Sequence, residues 1–267
     1  MENPVPLSAL ELGNIRRALR QCDPEASRAT VVIPAHNEPA IASTLQSIAK
    51  AIFAAQHVAD VIVVANDCSD NTADIAEDLG AHVVIENRKG VSYARQRGLE
   101  EARGSVILST DADTRVGVDW VSAHLRHYTK ESIVGVGGGL KYDHVHPSYR
   151  IYRLCARTIQ SMSALVGHPP APGYSGCNSS FRKSTAMSFG GYEPGTNRGE
   201  DGLLSAKLRA FGDVVSDASE DIHVTTSGRR YSSFSLVAAE ARRKLALMAR
   251  GRLYTGIERG QDFEDIR

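Results

Sequence analysis

The stretch VIVVAND, residues 61–67, decides the fold class of this chain. Its first five residues are apolar and mostly β-branched, which is typical of a strand covered on both faces. The earlier stretch TVVIPAHNE, residues 30–38, has the same form and also ends in polar residues. Between them, apolar residues recur at helical spacing over residues 41–53. A strand, a helix and a second buried strand in this order predict a parallel β-α-β unit.

The same alternation continues towards the C-terminus. HVVIEN (residues 82–87), SVILST (105–110) and IVGVGGG (133–139) have the composition of further strands, and helical patterns separate them. Short strands that alternate with helices indicate a doubly wound sheet. We therefore predict an α/β protein with a mostly parallel sheet, helices on both faces and a C-terminal helical extension.

Composition limits the classes of function. The chain has 267 residues, and Lys plus Arg equals Asp plus Glu at 31 each, so the overall charge does not predict a nucleic-acid partner. The four cysteines are scattered without a C-x-x-C pair, which fits a reducing cytosol. The N-terminus lacks the pattern of a signal peptide, and no apolar run is long enough for a membrane span. We expect a cytoplasmic protein.

Polar residues follow each of the first four predicted strands. In a doubly wound sheet, ligands bind beyond the carboxyl ends of the strands. The strand ends therefore predict one polar ligand site, with carboxylates, amides and cations contributed by four segments. These residues are His36, Asn37 and Glu38, then Asn66 and Asp67, then Asn87, Arg88 and Lys89, and finally Asp111 and Asp113.

The D-x-D triplet formed by Asp111 and Asp113 has several interpretations. An EF-hand loop is excluded, because its positions five, six and twelve hold Arg115, Val116 and Ser122. A haloacid-dehalogenase-like phosphatase also has D-x-D after an apolar strand, but Arg115 stands where Thr or Val is usual. GVGGGLK lacks the G-K-[ST] of a P-loop. A solvated turn is the plain alternative. The pattern favours a hard cation, Mg²⁺ or Mn²⁺, that also binds a diphosphate.

The chain resembles the family 2 glycosyltransferases, which have the GT-A fold, in an ordered set of motifs over about residues 31–230. Each motif is weak alone, and the ordered set is specific. The matching stretches are VVIPAHNE, VVANDCSDNT, NRKGVSYARQRG, STDADT, SGCNSSFRK with FGGYEP, and RGEDGLLSAKLRAFG.

The resemblance implies a role for each matched residue. Asp113 would bind the metal, Asp111 would contact the ribose side, and Asp201 would be the catalytic base. A carboxylate is a suitable base for an acceptor hydroxyl, although Glu200 and Asp201 alone also suit a helix N-terminus. The remaining residues assigned to the sugar-nucleotide site are Pro34, Ala35, Glu38, Asn66, Lys89, Gly90 and Ala112.

Two departures from the family pattern concern the nucleotide base. Asn66 and Asp67 stand where two aspartates are common, and the following turn is about one residue shorter than usual. Uridine nucleotides are the leading expectation. His223 is a candidate third metal ligand, because some GT-A enzymes supply a late histidine, with a structural role as the alternative. Arg229 and Arg230 are candidates to hold the diphosphate, because guanidinium groups match pairs of phosphate oxygens; ordinary surface charge is the alternative.

The second half of the sequence has a different pattern. Residues 149–167 have the pattern of an amphipathic helix, residues 168–183 are rich in turn formers, and a basic helical stretch starts near Ser232. We predict one GT-A-type domain over 1–267, with a nucleotide-sugar half (about 28–140), an acceptor half (about 141–231) and a helical tail (about 232–267). The tail would pack on the domain or contact an anionic membrane surface.

Together, the motifs predict an inverting, metal-dependent glycosyltransferase. It would use a nucleoside-diphosphate sugar, Mn²⁺ or Mg²⁺, and a hydroxyl acceptor on a glycan, a lipid-linked molecule or a small molecule. A retaining GT-A transferase would not need Asp201 as a base. A sugar nucleotidyltransferase usually has a glycine-rich Arg-Lys signature after the first strand, which PAHNEPA lacks. A non-catalytic sugar-nucleotide sensor would not require the Glu200–Asp201 pair.

Overall fold

The computed structural model describes residues 9–20, 28–55, 59–155, 174–249 and 258–259. Strands and helices alternate through the first half. The strands are β1 Ala29–Ala35, β2 Ala59–Asn66, β3 His82–Glu86, β4 Val106–Thr110, β5 Thr114–Val116, β6 Ile133–Gly138, β7 Leu140–Asp143, β8 Asn178–Arg182, β9 Thr196–Arg198, β10 Asp213–Asp217, β11 Val224–Ser227 and β12 Glu258–Arg259. The helices are α1 Ala9–Arg20, α2 Ile41–Ala55, α3 Thr72–Asp78, α4 Val91–Glu101, α5 Trp120–Leu125, α6 148–155, α7 Lys183–Ser188, α8 Glu200–Leu208 and α9 Phe234–Ala249.

The main sheet has seven strands in the order β10-β6-β8-β4-β1-β2-β3. Strand β8 runs antiparallel to both β4 and β6, and the other neighbouring strands are parallel. The predicted doubly wound, mostly parallel sheet is therefore confirmed. A smaller sheet, β5-β11-β7, lies beyond the end of β4.

Alternation along β1 shows why helices cover both faces. Val31 and Ile33 belong to one buried cluster with residues of α2 and α5, whereas Val32 belongs to a second cluster with residues of α4 and α8. Successive strand side chains point to opposite faces, so an unbroken apolar strand requires a helical layer on each side.

Strand β8 is the main element that the sequence pattern missed. The turn-rich stretch 168–183 contains it, and Asn178, Ser179 and Ser180 are all buried in the structure. These small polar residues are accommodated in the sheet because hydrogen-bonded strands flank β8 on both sides. Within the predicted helix 149–167, residues 156–167 lie outside the described residues.

The first part of the predicted C-terminal helical tail forms α9, whereas residues 250–257 and 260–267 lie outside the described residues and 258–259 form strand β12. Val237 is 5% exposed and packs inward, whereas Phe234 is 66% exposed. No helix in the described parts of the chain has both the length and the apolar character needed to cross a membrane. Contact between the tail and a membrane surface stays a prediction.

A buried histidine holds α5 against β8. His124 is fully buried, with one ring nitrogen 2.9 Å from the Ser180 hydroxyl and the other 3.0 Å from the Asn178 side-chain oxygen. The Trp120 ring N–H donates to the same Asn178 oxygen, so the network is satisfied by neutral imidazole. Burial lowers the pKa of His124 to about 4, because desolvation disfavours the charged ring.

This histidine predicts acid sensitivity. Since the pKa is lower in the folded state, the stability is complete above the ordinary pKa of about 6.5 and is lost as the pH falls towards 4. Lowering the pH from about 7.5 to 5.5 should cost about 1 kcal/mol through His124, or roughly 2 °C in Tm. His124→Gln should flatten this part of the melting profile, whereas His82→Gln, a change at an exposed site, should keep the wild-type slope. Equal slopes in all three proteins would contradict the assignment.

Candidate functional site

The carboxyl ends of β4, β1 and β2 lie side by side at one edge of the main sheet. Both β1 and β2 are followed at once by a turn, and Asn37 and Asp67 have positive φ angles of 46° and 52° there. The edge therefore gathers Glu38, Asn66 and the D-x-D segment in one place. The rest of the site comes from residues that reach this edge.

Asn66 holds the neighbouring loop. Its side-chain amide donates to the carbonyls of Glu86 and Arg88 at 2.9 and 2.7 Å, and its side-chain oxygen accepts the N–H of Gly90 at 2.9 Å. These bonds use the polar atoms of Asn66 within the protein. The structure therefore places Asn66 as the support of the 86–90 loop at the edge of the site.

Gly90 directly precedes helix α4 and has a φ of 139°, a value that favours glycine. Its neighbour Lys89 is exposed, with its ammonium 3.9 Å from the Asp67 carboxylate. The Lys89 ammonium therefore lies at the outer edge of the site that the strand ends form.

The three small apolar residues predicted for the site are largely covered. Pro34 is partly buried, and Ala35 and Ala112 are 2% and 5% exposed. The carbonyl of Ala112 accepts a hydrogen bond from the Thr44 hydroxyl at 2.8 Å. These residues shape the floor of the edge, while charged side chains provide its chemistry.

Arg229 joins two acidic segments of the site. Its guanidinium donates to the Asp113 carboxylate at 2.8 Å and also pairs with Glu38. The Thr226 hydroxyl lies 3.3 Å from the other Asp113 oxygen. Arg230 is also exposed, and of the two predicted arginines it is Arg229 that contacts the D-x-D segment.

Asp113 lies in an environment that disfavours its ionised form. Burial raises the pKa of its carboxyl group, and the negative charge of Asp111 raises it further, while the hydrogen bond from Arg229 lowers it. A cation next to Asp113 stabilises the ionised form against these effects. In this structure Arg229 supplies that positive charge.

Sequence reasoning missed Arg95, which connects the two ends of the site. Its guanidinium is 3% exposed and bonds to the Asp111 carboxylate at 2.6 Å, to the Glu200 carboxylate at 3.2 Å and to the Ser109 hydroxyl at 2.5 Å. Glu200 and Asp111 are thereby held within the span of one guanidinium. The D-x-D segment and the start of α8 belong to the same site.

A signal for Arg95 was present in the helical pattern. Arg95 lies on the face of α4 that also carries Ala94, Gly98 and Leu99, and all four are buried. A cation on a buried helical face requires buried anionic partners. The pattern indicates an ion pair, but it does not identify partners that lie up to 105 residues away.

The adjacent acidic residues Glu200 and Asp201 have different environments. Glu200 is 7% exposed and faces Arg95. Burial raises the pKa of Glu200 to about 7, and the charge of Asp201 contributes in the same direction. Asp201 is more accessible than Glu200, so only Asp201 is open to an external reactant.

Two backbone groups orient the Asp201 carboxylate. One oxygen accepts the N–H of Gly176 at 2.7 Å, and the other accepts the N–H of Gly202 at 2.7 Å. Helix α8 starts directly after Gly199, whose φ is 79°. The chain therefore presents Asp201 in the first turn of α8 with a fixed orientation. A carboxylate held in this way is suited to accept a proton.

The register of β11 displaces the His223 backbone from Thr226, the β11 residue that contacts Asp113. Thr226 pairs with Thr114 beside Asp113, whereas Val224, which follows His223, pairs with Val116. The backbone therefore carries His223 about 10 Å away from Thr226, at about 3.3 Å per residue. One ring nitrogen of His223 also contacts the Ser219 carbonyl at 2.6 Å. The resemblance to GT-A enzymes did not reveal this register, and we leave His223 out of the proposed metal site.

The donor atoms suit a hard cation that is shared with a phosphate. Among the described residues, no group of three or more His, Cys, Asp or Glu side chains is arranged to hold a metal ion. Mg²⁺ and Mn²⁺ in sites of this kind need only one or two carboxylates, because phosphate oxygens and water complete the shell. Asp113, with Asp111 nearby, fits that requirement.

Comparison with protein families gives one clear match. The model described as "Glycosyl transferase family 2" matches residues 30–189. These residues include β1 to β4, the D-x-D segment, Arg95 and β8. The matched region therefore covers more than half of the chain.

Two curated relatives share part of this sequence. An uncharacterized glycosyltransferase, YfnE, from Bacillus subtilis (strain 168) is 28% identical over 117 residues, which are 41% of this chain and 29% of that protein. A glucosyl-dolichyl phosphate glucuronosyltransferase from Haloferax volcanii is 29% identical over 143 residues, 51% of this chain and 44% of that protein. The matches span less than half of the length of either relative.

Solved structures share the fold over nearly the whole chain. The mannosyltransferase PcManGT from Pyrobaculum calidifontis, in complex with GDP-Man and Mn²⁺, has a TM-score of 0.61 and 18% identity, and the match covers 96% of this chain and 74% of that one. Glucosyl-3-phosphoglycerate synthase from Mycobacterium tuberculosis, in complex with Mn²⁺ and UDP-glucose, has a TM-score of 0.57 and 19% identity, with 94% and 85% covered. The predicted GT-A fold is confirmed.

Proposed function

Since this chain belongs to glycosyl transferase family 2, we propose that it transfers a sugar from a nucleoside-diphosphate sugar to an acceptor hydroxyl with inversion at the anomeric carbon. In one displacement, the bond between the acceptor oxygen and the anomeric carbon forms as the bond to the diphosphate breaks. The acceptor proton moves to the Asp201 carboxylate, and the nucleoside diphosphate departs.

The contact that carries this proposal is the double ion pair of Arg95. Because one guanidinium touches Asp111 at 2.6 Å and Glu200 at 3.2 Å, the donor side and the base side meet in one site. A sugar-nucleotide sensor would need the first of these sides alone. The joined arrangement supports a catalyst that positions a donor and an acceptor together.

On the donor side, we propose that Asp113 holds Mn²⁺ or Mg²⁺. Its partly buried carboxylate is stabilised by a neighbouring positive charge, and the solved structures of PcManGT and glucosyl-3-phosphoglycerate synthase are complexes with Mn²⁺. When bound, the cation would neutralise the diphosphate as a Lewis acid. Asp111, which Arg95 fixes, would face the ribose side of the donor.

Arg229 is proposed to bind the diphosphate. Its side chain is 55% exposed, so its guanidinium is accessible from solvent while it remains in reach of Asp113. Guanidinium groups match pairs of phosphate oxygens. Once a cation is bound at Asp113, the Arg229 guanidinium would bind the departing diphosphate.

Replacement of this arginine gives a specific prediction. Arg229→Gln should weaken binding of UDP or GDP in Mn²⁺ by about tenfold, because one charge-assisted contact is lost. Arg230→Gln, at the exposed neighbouring position, is the matched control and should change binding by less than about twofold. Calorimetric titration measures both. Tighter binding by Arg229→Gln would instead mean that Arg229 competes with the cation, and it would contradict the assigned role.

For the nucleotide base, the sugar and the acceptor, we propose only the chemical class. The relatives' names include a GDP-mannose donor and a UDP-glucose donor, and a uridine nucleotide is the first donor to test. The acceptor is a hydroxyl of a glycan, a lipid-linked molecule or a small molecule. We also keep as proposals the donor half at about 28–140, the acceptor half at about 141–231 and the tail from about 232.

An assay of donor turnover tests the proposed function. The protein would be incubated with Mn²⁺ and, in turn, UDP-glucose, GDP-mannose and UDP-N-acetylglucosamine. Release of nucleoside diphosphate would be followed as the sugar is transferred to water or to an added sugar acceptor. We expect one donor to be turned over and EDTA to stop its release. Donor binding without any turnover would favour the sensor.

A further inference from the structure

Arg95 has more partners than charge neutralisation requires. Its three nitrogens reach Ser109 on β4, Asp111 just beyond β4, and Glu200 at the start of α8. One nitrogen also lies so close to Gly176 that a Cβ there would sit 2.4 Å from it. One buried side chain therefore contacts three separate segments of the site.

The local packing brings Arg95 to this position. Helix α4 lies tightly against the sheet at Gly98, where a Cβ would be 2.3 Å from a methyl group of Val32. Because Gly98 lies one turn after Arg95, the side chain of Arg95 is directed to the carboxyl ends of the strands. Although burial opposes its charge, the negative charges of Asp111 and Glu200 hold the pKa of Arg95 above its ordinary value.

Two routes connect Arg95 with the proposed base. Glu200 pairs with Arg95 and is the chain neighbour of Asp201. Gly176 contacts the guanidinium and donates its N–H to Asp201 at 2.7 Å. A shift of the guanidinium would therefore move both the first turn of α8 and the backbone donor that orients Asp201.

We propose that Arg95 is a positioning residue that fixes the Asp201 carboxylate relative to the Asp111 end of the donor site. This inference rests on the proposed function. Arg95 itself touches no reacting atom, and its effect is on the geometry of attack. A displacement of about 1 Å in such geometry can cost about a hundredfold in rate.

The planar fork explains why arginine is required. The two carboxylates contact different nitrogens of one rigid group. Lysine would keep the charge, but its single ammonium cannot hold both carboxylates in the same geometry. Lysine at this position would therefore separate the loss of positioning from the loss of charge.

The test compares Arg95→Lys with Arg97→Lys. Arg97 lies on the same helix, is 42% exposed and pairs with Glu101, so it is a matched control for the same substitution. The assays would measure kcat and KM with whichever of UDP-glucose and GDP-mannose the wild type turns over in Mn²⁺. Calorimetry with UDP or GDP and thermal melting would be measured in parallel.

For Arg95→Lys, we expect kcat to fall by about a hundredfold, while donor KM and nucleotide Kd stay within about threefold of the wild type. Arg97→Lys should match the wild type in every measurement. Glu200→Gln breaks the α8 side of the link and leaves the Asp111 pair, so it provides a second variant if Arg95→Lys does not fold. It should lower kcat by at least about tenfold with similar nucleotide binding.

Several outcomes would overturn the inference. If kcat per nucleotide-binding site is unchanged in Arg95→Lys, or in Glu200→Gln when the lysine variant is unfolded, Arg95 is only a structural ion pair. Equal losses of nucleotide binding and kcat would make Arg95 part of the donor site. A wild type that turns over no donor would overturn the proposed function itself. If the wild type turns over a donor and Arg95→Lys does so with the same kcat, only this inference is overturned.

Discussion

Asp201→Asn is expected to reduce turnover by about a thousandfold and to leave nucleotide binding within about threefold of the wild type. An amide keeps the size of the side chain but cannot accept the proton of the acceptor hydroxyl. The carboxylate is oriented by the N–H groups of Gly176 and Gly202, and its removal should affect the chemical step rather than the donor contacts. Steady-state rates with a turned-over donor, together with calorimetry, measure the two effects separately.

The matched control for this variant is Asp213→Asn, which changes an exposed aspartate at the start of β10. It should retain wild-type turnover. If Asp201→Asn keeps more than about a tenth of the wild-type rate, Asp201 is not the base, and a retaining transferase becomes the better account. Equal loss of binding and turnover would place Asp201 in the donor site instead.

Asp113→Asn is expected to remove the effect of Mn²⁺ on donor binding and to lower turnover by at least about a hundredfold. The wild-type carboxylate is partly buried, lies near Asp111 and is paired with the Arg229 guanidinium in this structure. A neutral amide at this position is a poor ligand for a hard cation. The variant should bind UDP or GDP with the same affinity whether Mn²⁺ or EDTA is present.

Asp74→Asn, at an exposed position on α3, is the control for the general loss of one negative charge. It should keep the full response to Mn²⁺. A response to Mn²⁺ in Asp113→Asn that equals the wild-type response would remove Asp113 from the metal site. The D-x-D segment would then need another function, such as contact with the ribose alone.

The strands at the centre of the fold were predictable because their sequences are almost uniformly apolar. Strands β1 and β2 are buried on both faces, and burial on both faces selects an uninterrupted run of apolar residues. Strand β8 was not predictable in this way, since Asn178, Ser179 and Ser180 are polar and become buried only between β4 and β6. Its position depends on pairing between distant segments.

The site was predictable to the same extent. The strand-end rule predicts that Glu38 and Asp113 lie at one edge, because it follows from the direction of parallel strands, and in the structure both contact Arg229. The partners of Arg95 depend on contacts across the fold, and the placement of His223 depends on the register of β11 against β5. A sequence pattern contains neither piece of information, so it identifies neither the partners of Arg95 nor the displacement of the His223 backbone from Thr226.

The most direct test of the central claim is calorimetric titration of the wild-type protein with UDP, GDP, dTDP and CDP, each with Mn²⁺ and with EDTA. The account predicts that one nucleoside diphosphate binds clearly more tightly than the others and that EDTA removes most of its affinity. That result would support a metal-dependent donor site and identify its base. If no nucleotide binds under either condition, the interpretation of Asp111 and Asp113 as a metal–diphosphate site is contradicted.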